Sequence, residues 1–240
     1  MIFAAGLGTR LKPLTDTMPK ALVPLAGKPL LQWQVEKLRD AGITDIIVNV
    51  HHFPDMIIDT IRQNSGWGCN IMISDERDQL LDTGGGLRKI TPLRLSPQGE
   101  RVNESILACN VDILSNIDIP SLIARYEESG ISQLVVSDRQ TQRYLCFDEQ
   151  NQLCGWTNMA TGELKGTDGR HLAFSGMQIL SPDALALLNE MPEEKFSLID
   201  FYLKVMGEVE LKAYVQKDYR MMDVGKIDQI EEAERFAKSI

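Results

Sequence analysis

Gly6, Gly8, Arg10, Lys12 and Lys20 all fall between positions 6 and 20, directly behind a short apolar run. Those residue types are the parts of an anion cradle. Glycine lets backbone N–H groups approach an oxyanion with no Cβ in the way, and the basic side chains supply positive charge. The ligand such parts suit is a phosphate chain. The glycines alone do not decide the matter: on their spacing, an ordinary turn with solvated Arg10, Lys12 and Lys20 is the preferred reading. Two familiar phosphate motifs are absent. A G-x-G-x-x-G fingerprint has Leu11 where its third glycine belongs, and no Gly-Lys-Ser/Thr follows a glycine loop.

The elements needed to hold this loop read as alternating strands and helices. Apolar runs predict strands over 2–5, 43–50, 69–74, 106–111 and 131–137. Amphipathic patterns predict helices over 28–41, 54–63, 84–90 and 119–128. That rhythm belongs to a parallel α/β domain. From 138 to 170 the texture changes: short runs at 144–147 and 153–156 predict antiparallel ribbons with polar connectors. A strand over 171–180, helices over 182–191 and 198–206, a strand over 209–215 and a helix over 226–239 complete the pattern. With no Pro/Gly/Ser linker, the expectation is one domain over 1–240, with 138–170 as a substrate-side β insertion or lid.

The chain has 240 residues, 43% of them apolar, a net charge of −9 and a sequence pI near 4.9. Nucleic-acid binding needs concentrated lysine and arginine, so no such partner is expected, while a local cationic pocket for a small anion stays compatible. Cys69, Cys109, Cys146 and Cys154 form no C-x-x-C pair and read as reduced thiols in a cytoplasmic protein. No leader peptide is expected from the first residues, and without an 18-residue apolar run no membrane span is expected. Small-molecule partners remain, for a monomer or a homo-oligomer.

The whole loop, "AAGLGTRLKPLT" at 4–15 followed by "PKALVP" at 19–24, resembles the signature of the sugar-1-phosphate nucleotidyltransferases. The likeness continues in "GKPL" at 27–30, "DTGGGL" at 82–87, "NVD" at 110–112, "FSG" at 174–176 and "DVG" at 223–225. It implies a Rossmann-like three-layer α/β fold with a mixed, mainly parallel central sheet. It also implies a reaction in which an NTP and a sugar 1-phosphate give a nucleotide sugar and pyrophosphate. Within the family, the chain looks most like the N-acetylmuramate 1-phosphate uridylyltransferase branch. A mannose-1-phosphate guanylyltransferase is the alternative, and a nucleotide-sugar-binding regulator without turnover is a third reading.

Roles follow from the resemblance residue by residue. Arg10, Lys20 and Asp112 are the implied catalytic group, with Arg10 at the leaving β/γ phosphates and Lys20 at the α-phosphate. Ala4, Ala5, Gly6, Leu7, Gly8 and Thr9 would line the nucleotide, with Gln79, Thr83, Gly84 and Gly85 around the base. Asn110, Asn158, Ser175 and Gly176 would meet the sugar. Arg143 and Lys165 are both available for the sugar's phosphate, and the sequence does not choose between them. Asp112 and Asp223 are the implied ligands of Mg²⁺, a hard cation suited to carboxylate and phosphate oxygens together. Plainer readings stand beside these. An Asp at a strand end commonly caps a turn or helix, and Asp82 or Thr83 does so before 84–90.

One departure from the family pattern is Val111, where the "N-G-D" motif has glycine. If the strand runs through it, Asn110 and Asp112 share a face and Val111 points away; if the strand ends earlier, Val111 narrows the pocket or shifts substrate preference. The remaining polar clusters read blandly. His51, His52 and His171 have no local ligand spacing, so zinc is not expected, and Asp75, Glu76 and Asp78 read as a solvated loop. Trp33, Trp67 and Trp156 read as packing residues, and no G-x-S-x-G nucleophile motif occurs.

Overall fold

The computed structural model of the chain describes residues 1–91 and 104–240. In chain order its elements begin with β1 (Ile2–Phe3), β2 (Pro24–Leu25), β3 (Lys28–Pro29), α1 (Leu30–Asp40), β4 (Asp45–Val50), α2 (Pro54–Gln63) and β5 (Asn70–Asp75). Next come α3 (Asp82–Ile90), β6 (Ile106–Asn110), β7 (Ile113–Ser115), α4 (Ile119–Ser129), β8 (Ser132–Ser137), β9 (Arg143–Phe147) and β10 (Leu153–Asn158). The chain closes with β11 (Glu163–Gly166), β12 (Arg170–Leu180), α5 (Pro182–Leu187), α6 (Leu198–Val205), β13 (Leu211–Tyr214), β14 (Met221–Asp223) and α7 (Ile230–Ala237). The fold is α/β with a mixed, mainly parallel central sheet, as the resemblance implies.

Two compact units divide the chain. The first takes Met1–Asp82, Cys109–Ile119 and Arg220–Ile240; the second takes the described residues of Thr83–Ala108 and Pro120–Tyr219. In the first, β1 pairs in parallel with β4, setting Ile2 beside Val48, and with the end of β6, setting Ile2 beside Cys109. β4 continues in parallel to β5. Leu30, Leu31, Val35 and Leu38 of α1 are buried as the helical spacing requires, each contributing roughly 1.5–3 kcal/mol. α1 ends in a Schellman turn. Gly42, at φ 87°, donates its N–H to the Arg39 carbonyl, and Ile43 donates to Leu38.

In the second unit β8 is buried along its whole length, parallel to β13 and antiparallel to β12. β12 runs on antiparallel to β9, and β9, β10 and β11 form the ribbons expected between 138 and 170. α6 starts on a capping box between Ser197 and Asp200.

Boundaries shift where side chains or tight turns replace the ladder. The first strand stops at Phe3 because Ala4 donates its N–H to the Asn49 side chain rather than to a neighbouring strand. The helix expected from 28 begins at Leu30, since Lys28–Pro29 pairs with Pro24–Leu25. The strand expected to reach 111 ends at Asn110. Val111 still donates its N–H to Phe3, and its side chain is buried, so Val111 packs into the core rather than narrowing a pocket.

Lys37 on α1 reaches inward in the first unit, donating to the Ser115 carbonyl and, at 2.9 Å, to the Ser115 hydroxyl. Burial pulls its pKa down to about 8, against a smaller opposing effect of the Cys109 thiol. Between about pH 8 and the ordinary lysine value, the unfolded chain binds more protons than the folded one, so stability rises with pH there. Relative to Lys37→Met, the wild-type chain is expected to gain about 2 kcal/mol between pH 7.5 and 10, read from paired urea-unfolding curves.

Candidate active site

The loop after β1 folds into three short 3₁₀ turns, Thr9–Leu11, Leu14–Asp16 and Lys20–Leu22. Gly8 is its pivot. It sits at φ 64°, and a Cβ there would lie 2.8 Å from Thr15 Cγ2 and 3.0 Å from Lys20 Cβ. Its carbonyl accepts from the Leu11 N–H at 2.8 Å and from the Thr15 hydroxyl at 2.9 Å. Only glycine fits, and its fit presses Lys20 against the loop. Gly6 has open space where a Cβ would stand. Ala4 and Ala5 are buried, while Gly6, Leu7 and Thr9 are exposed.

Lys20 is 7% exposed, an unusual state for a lysine. Its Nζ is hydrogen-bonded to Asp112 Oδ2 and lies 4.0 Å from Asp223 Oδ1. Arg10, largely exposed, places Nη2 3.8 Å from Asp223 Oδ2. Positions 10, 20, 112 and 223 are thus brought together. The backbone enforces this. β7 and β14 pair antiparallel with Asp223 opposite Ile113, and the Val224 N–H donates to the Asp112 carbonyl at 2.9 Å. Gly225 completes the corner, since a Cβ there would lie 2.8 Å from Asp223 Oδ1 and 3.0 Å from Arg10 Nη2. Asn110, the last residue of β6, is half-buried two positions before Asp112.

A residue that sequence reasoning set aside supports the floor of this loop. Glu76, expected in a solvated loop, is buried. Its carboxyl accepts from Asn49 Nδ2 at 2.8 Å and from the Leu81 N–H at 3.2 Å, while Asn49 Oδ1 accepts from the Ala4 N–H at 2.7 Å. One buried chain therefore joins the end of β1 to the segment carrying Gln79, which is exposed. No local sequence pattern marks it, because Asn49 and Glu76 are 27 positions apart. His51 and His52, just beyond the end of β4, turn to different carbonyls, those of Glu76 and Thr15.

The other named residues lie in the second unit. Gly84 and Gly85 both donate their N–H groups to the Phe196 carbonyl, at 2.9 and 3.2 Å, and a Cβ on Gly84 would collide with the Phe196 ring. Those amides are engaged within the protein, so they are not the groups offered to a base edge. The Thr83 hydroxyl accepts from the Leu198 N–H at 2.9 Å. Ser175 is buried, its hydroxyl without a hydrogen-bond partner among the described residues, and Gly176 follows at φ 69° where β12 shifts register. Asn158 behaves as a turn residue, its Oδ1 accepting from the Ala160 N–H at 3.0 Å. It faces Arg143 across the ribbon, whereas Lys165 lies 5.4 Å over the Trp156 ring and 3.6 Å from Glu163. Both cations are exposed, and nothing in these contacts selects one for a sugar phosphate.

In a parallel α/β sheet, ligands bind outside the carboxyl ends of the strands, and the loop after β1 lies at that end. The fold thus defines an α/β protein in which two cations and two carboxylates meet beside the glycine loop. Residues 1–145 match the family model described as nucleotidyl transferase, and the chain belongs to that family. It is 47% identical over 217 residues to an N-acetylmuramate alpha-1-phosphate uridylyltransferase of Caulobacter vibrioides, covering 87% of this chain and 84% of that protein. A protein of the same description from Neisseria meningitidis is 40% identical over 118 residues, which span 49% of this chain and 48% of that one. Among solved structures, HddC from Yersinia pseudotuberculosis complexed with GMP-PN superposes with a TM-score of 0.75 at 24% identity, over 98% of this chain and 97% of that one. That likeness concerns the fold.

Asn49→Ala would leave the buried Ala4 N–H without its acceptor and take the Asn49 donor from the Glu76 carboxyl. A loss of about 2–4 kcal/mol of stability is expected, measured as a lower urea midpoint at unchanged m-value.

Proposed function

We propose that the chain transfers a nucleotidyl group from an NTP to a sugar 1-phosphate, and that its substrates are UTP and N-acetylmuramate 1-phosphate or another N-acetylated sugar 1-phosphate. The observation that carries this reading is the convergence of Lys20, Arg10, Asp112 and Asp223 beside the glycine loop. The choice of substrates rests on the similarity to the Caulobacter protein along most of both chains.

In this reaction an oxygen of the sugar 1-phosphate forms a bond to the α-phosphorus. The bond from that phosphorus to the bridging oxygen breaks, and pyrophosphate leaves with the electron pair. Negative oxygens crowd together as this happens, so catalysis is a matter of placing positive charge and N–H donors. Lys20, held by its burial and its ion pair, supplies charge at the α-phosphate, while Arg10 and the Leu7 to Thr9 backbone hold the leaving phosphates. The residues also fit Mg²⁺. Two carboxylates converge on a single ammonium, which marks the place between them as one that attracts a cation, and a pair of oxygen ligands leaves room for phosphate and water. Asp112 and Asp223 would hold the ion; when bound, it supplies charge neutralisation between phosphate groups. Within this proposal the chain works as one domain, with 138–170 as its substrate-side insertion.

The test is pyrophosphate release from four NTPs against several sugar 1-phosphates with Mg²⁺. UTP with an N-acetylated sugar 1-phosphate is expected to give the highest kcat/KM. A maximum with GTP and mannose 1-phosphate would overturn the substrate choice, and NTP binding with no product from any pair would overturn the transfer itself. Lys20→Ala is expected to lower kcat by about 100-fold or more, with a far-ultraviolet circular dichroism spectrum like that of the wild type.

A further inference from the structure

Away from the site described above, the second unit brings three metal-ligating side chains together. Cys146 lies on β9 and His171 on β12, and the two are directly paired in the antiparallel ladder. Directly opposite residues project to the same face with Cβ atoms roughly 4.5–5.5 Å apart. Asp168, on the turn entering β12, closes the group from the side. Its Oδ1 lies 2.6 Å from His171 Nε2 and 3.9 Å from Cys146 Sγ. One ligand atom from each residue lies within 4.8 Å of the other two.

The turn is built to bring Asp168 there. Gly155, Gly166 and Gly169 each stand where a Cβ would drive into backbone: Gly155 against the Thr167 and Lys165 carbonyls, Gly166 against the Cys154 carbonyl, Gly169 against the Phe147 carbonyl. These contacts press the segment from 166 to 170 onto β9 and β10. Tyr144 stacks on the His171 ring at 5.7 Å and fixes its plane. Cys146 is fully buried, whereas Asp168 is exposed and His171 half-buried, so the sulfur forms the inner wall and the other two the mouth.

From this geometry we infer that Cys146, Asp168 and His171 bind a borderline-soft divalent transition metal of the zinc class, with a fourth position open to solvent. Thiolate, imidazole and carboxylate are the zinc ligand set, and three protein ligands with one open position is a common arrangement. Tetrahedral zinc distances place neighbouring ligand atoms roughly 3.5 Å apart. The sulfur-to-carboxylate separation is close to that already. The imidazole and carboxylate must part by a little under 1 Å, which an exposed Asp168 can do by rotation. The absence of local ligand spacing around His171 in the sequence is explained by the ladder. Cys146 is 25 positions away in the chain and adjacent across the sheet.

The experiment uses the full chain, reduced and chelator-stripped, in excess Mg²⁺. Calorimetry should report one equivalent of Zn²⁺, and Co²⁺ should give thiolate charge-transfer absorption with tetrahedral visible bands. Asp168→Ala and His171→Ala change surface-facing groups, so they keep the test valid if Cys146→Ser fails to fold. Each is expected to weaken Zn²⁺ binding at least 10-fold, while the double variant Asp112→Asn, Asp223→Asn leaves it unchanged. Absence of saturable Zn²⁺ binding would overturn the site, as would binding indifferent to both surface variants or abolished by the double variant. Charge-transfer absorption lost in Cys154→Ser but kept in Cys146→Ser would overturn the ligand assignment.

Discussion

A buried ammonium between two carboxylates is the constraint on which the first unit turns. Asp112 and Asp223 could not stand so close on charge alone; Lys20, itself only 7% exposed, is what makes their approach tolerable. Removing one partner from such a group leaves charge in a poorly solvated place, so the three residues are set by one another. Their positions come from the main chain rather than from flexible side chains. β14 lies against β7, and the hydrogen bond from Val224 to Asp112 locks the register that aligns the two acids.

The glycine loop belongs to the same arrangement. Gly8 adopts a left-handed conformation and leaves no room for a Cβ beside Thr15 and Lys20, while Gly225 leaves none beside Asp223 and Arg10. Two glycines far apart in sequence thereby draw two cations and two acids into one corner. Below them, the chain from Ala4 through Asn49 and Glu76 to Leu81 ties the first strand's end to the segment beyond the third parallel strand. Buried polar groups of this kind are tolerable only when all are satisfied, which makes the support rigid as well as exacting.

Much of this was legible in the sequence. The alternation of apolar runs and amphipathic stretches places β4, β5, α1, α2, β8 and β12 close to their observed bounds, because each buries a periodic apolar face. The bounds that moved did so for reasons outside local periodicity. Phe3 ends its strand because a side chain 45 positions away takes the next N–H. Val111 leaves the strand yet stays in the core. The convergence of positions 10, 20, 112 and 223 follows from a motif and from no spacing. Glu76 escaped notice because nothing near it in the chain shows that it will be buried. The pairing of Cys146 with His171 was hidden for the same reason, as register between strands is a long-range property.

The corner around Lys20 is drawn from three stretches, Met1–Asp82, Cys109–Ile119 and Arg220–Ile240. On the proposed function, a nucleotide's phosphates seated there would cross-link segments that share no local sequence. Its binding energy is therefore coupled to the closure of two very long loops, whose entropy the folded chain has already surrendered. Ligand occupancy and the integrity of this unit would then be linked quantities, so that saturating ligand would resist melting of the β7–β14 ribbon by mass action.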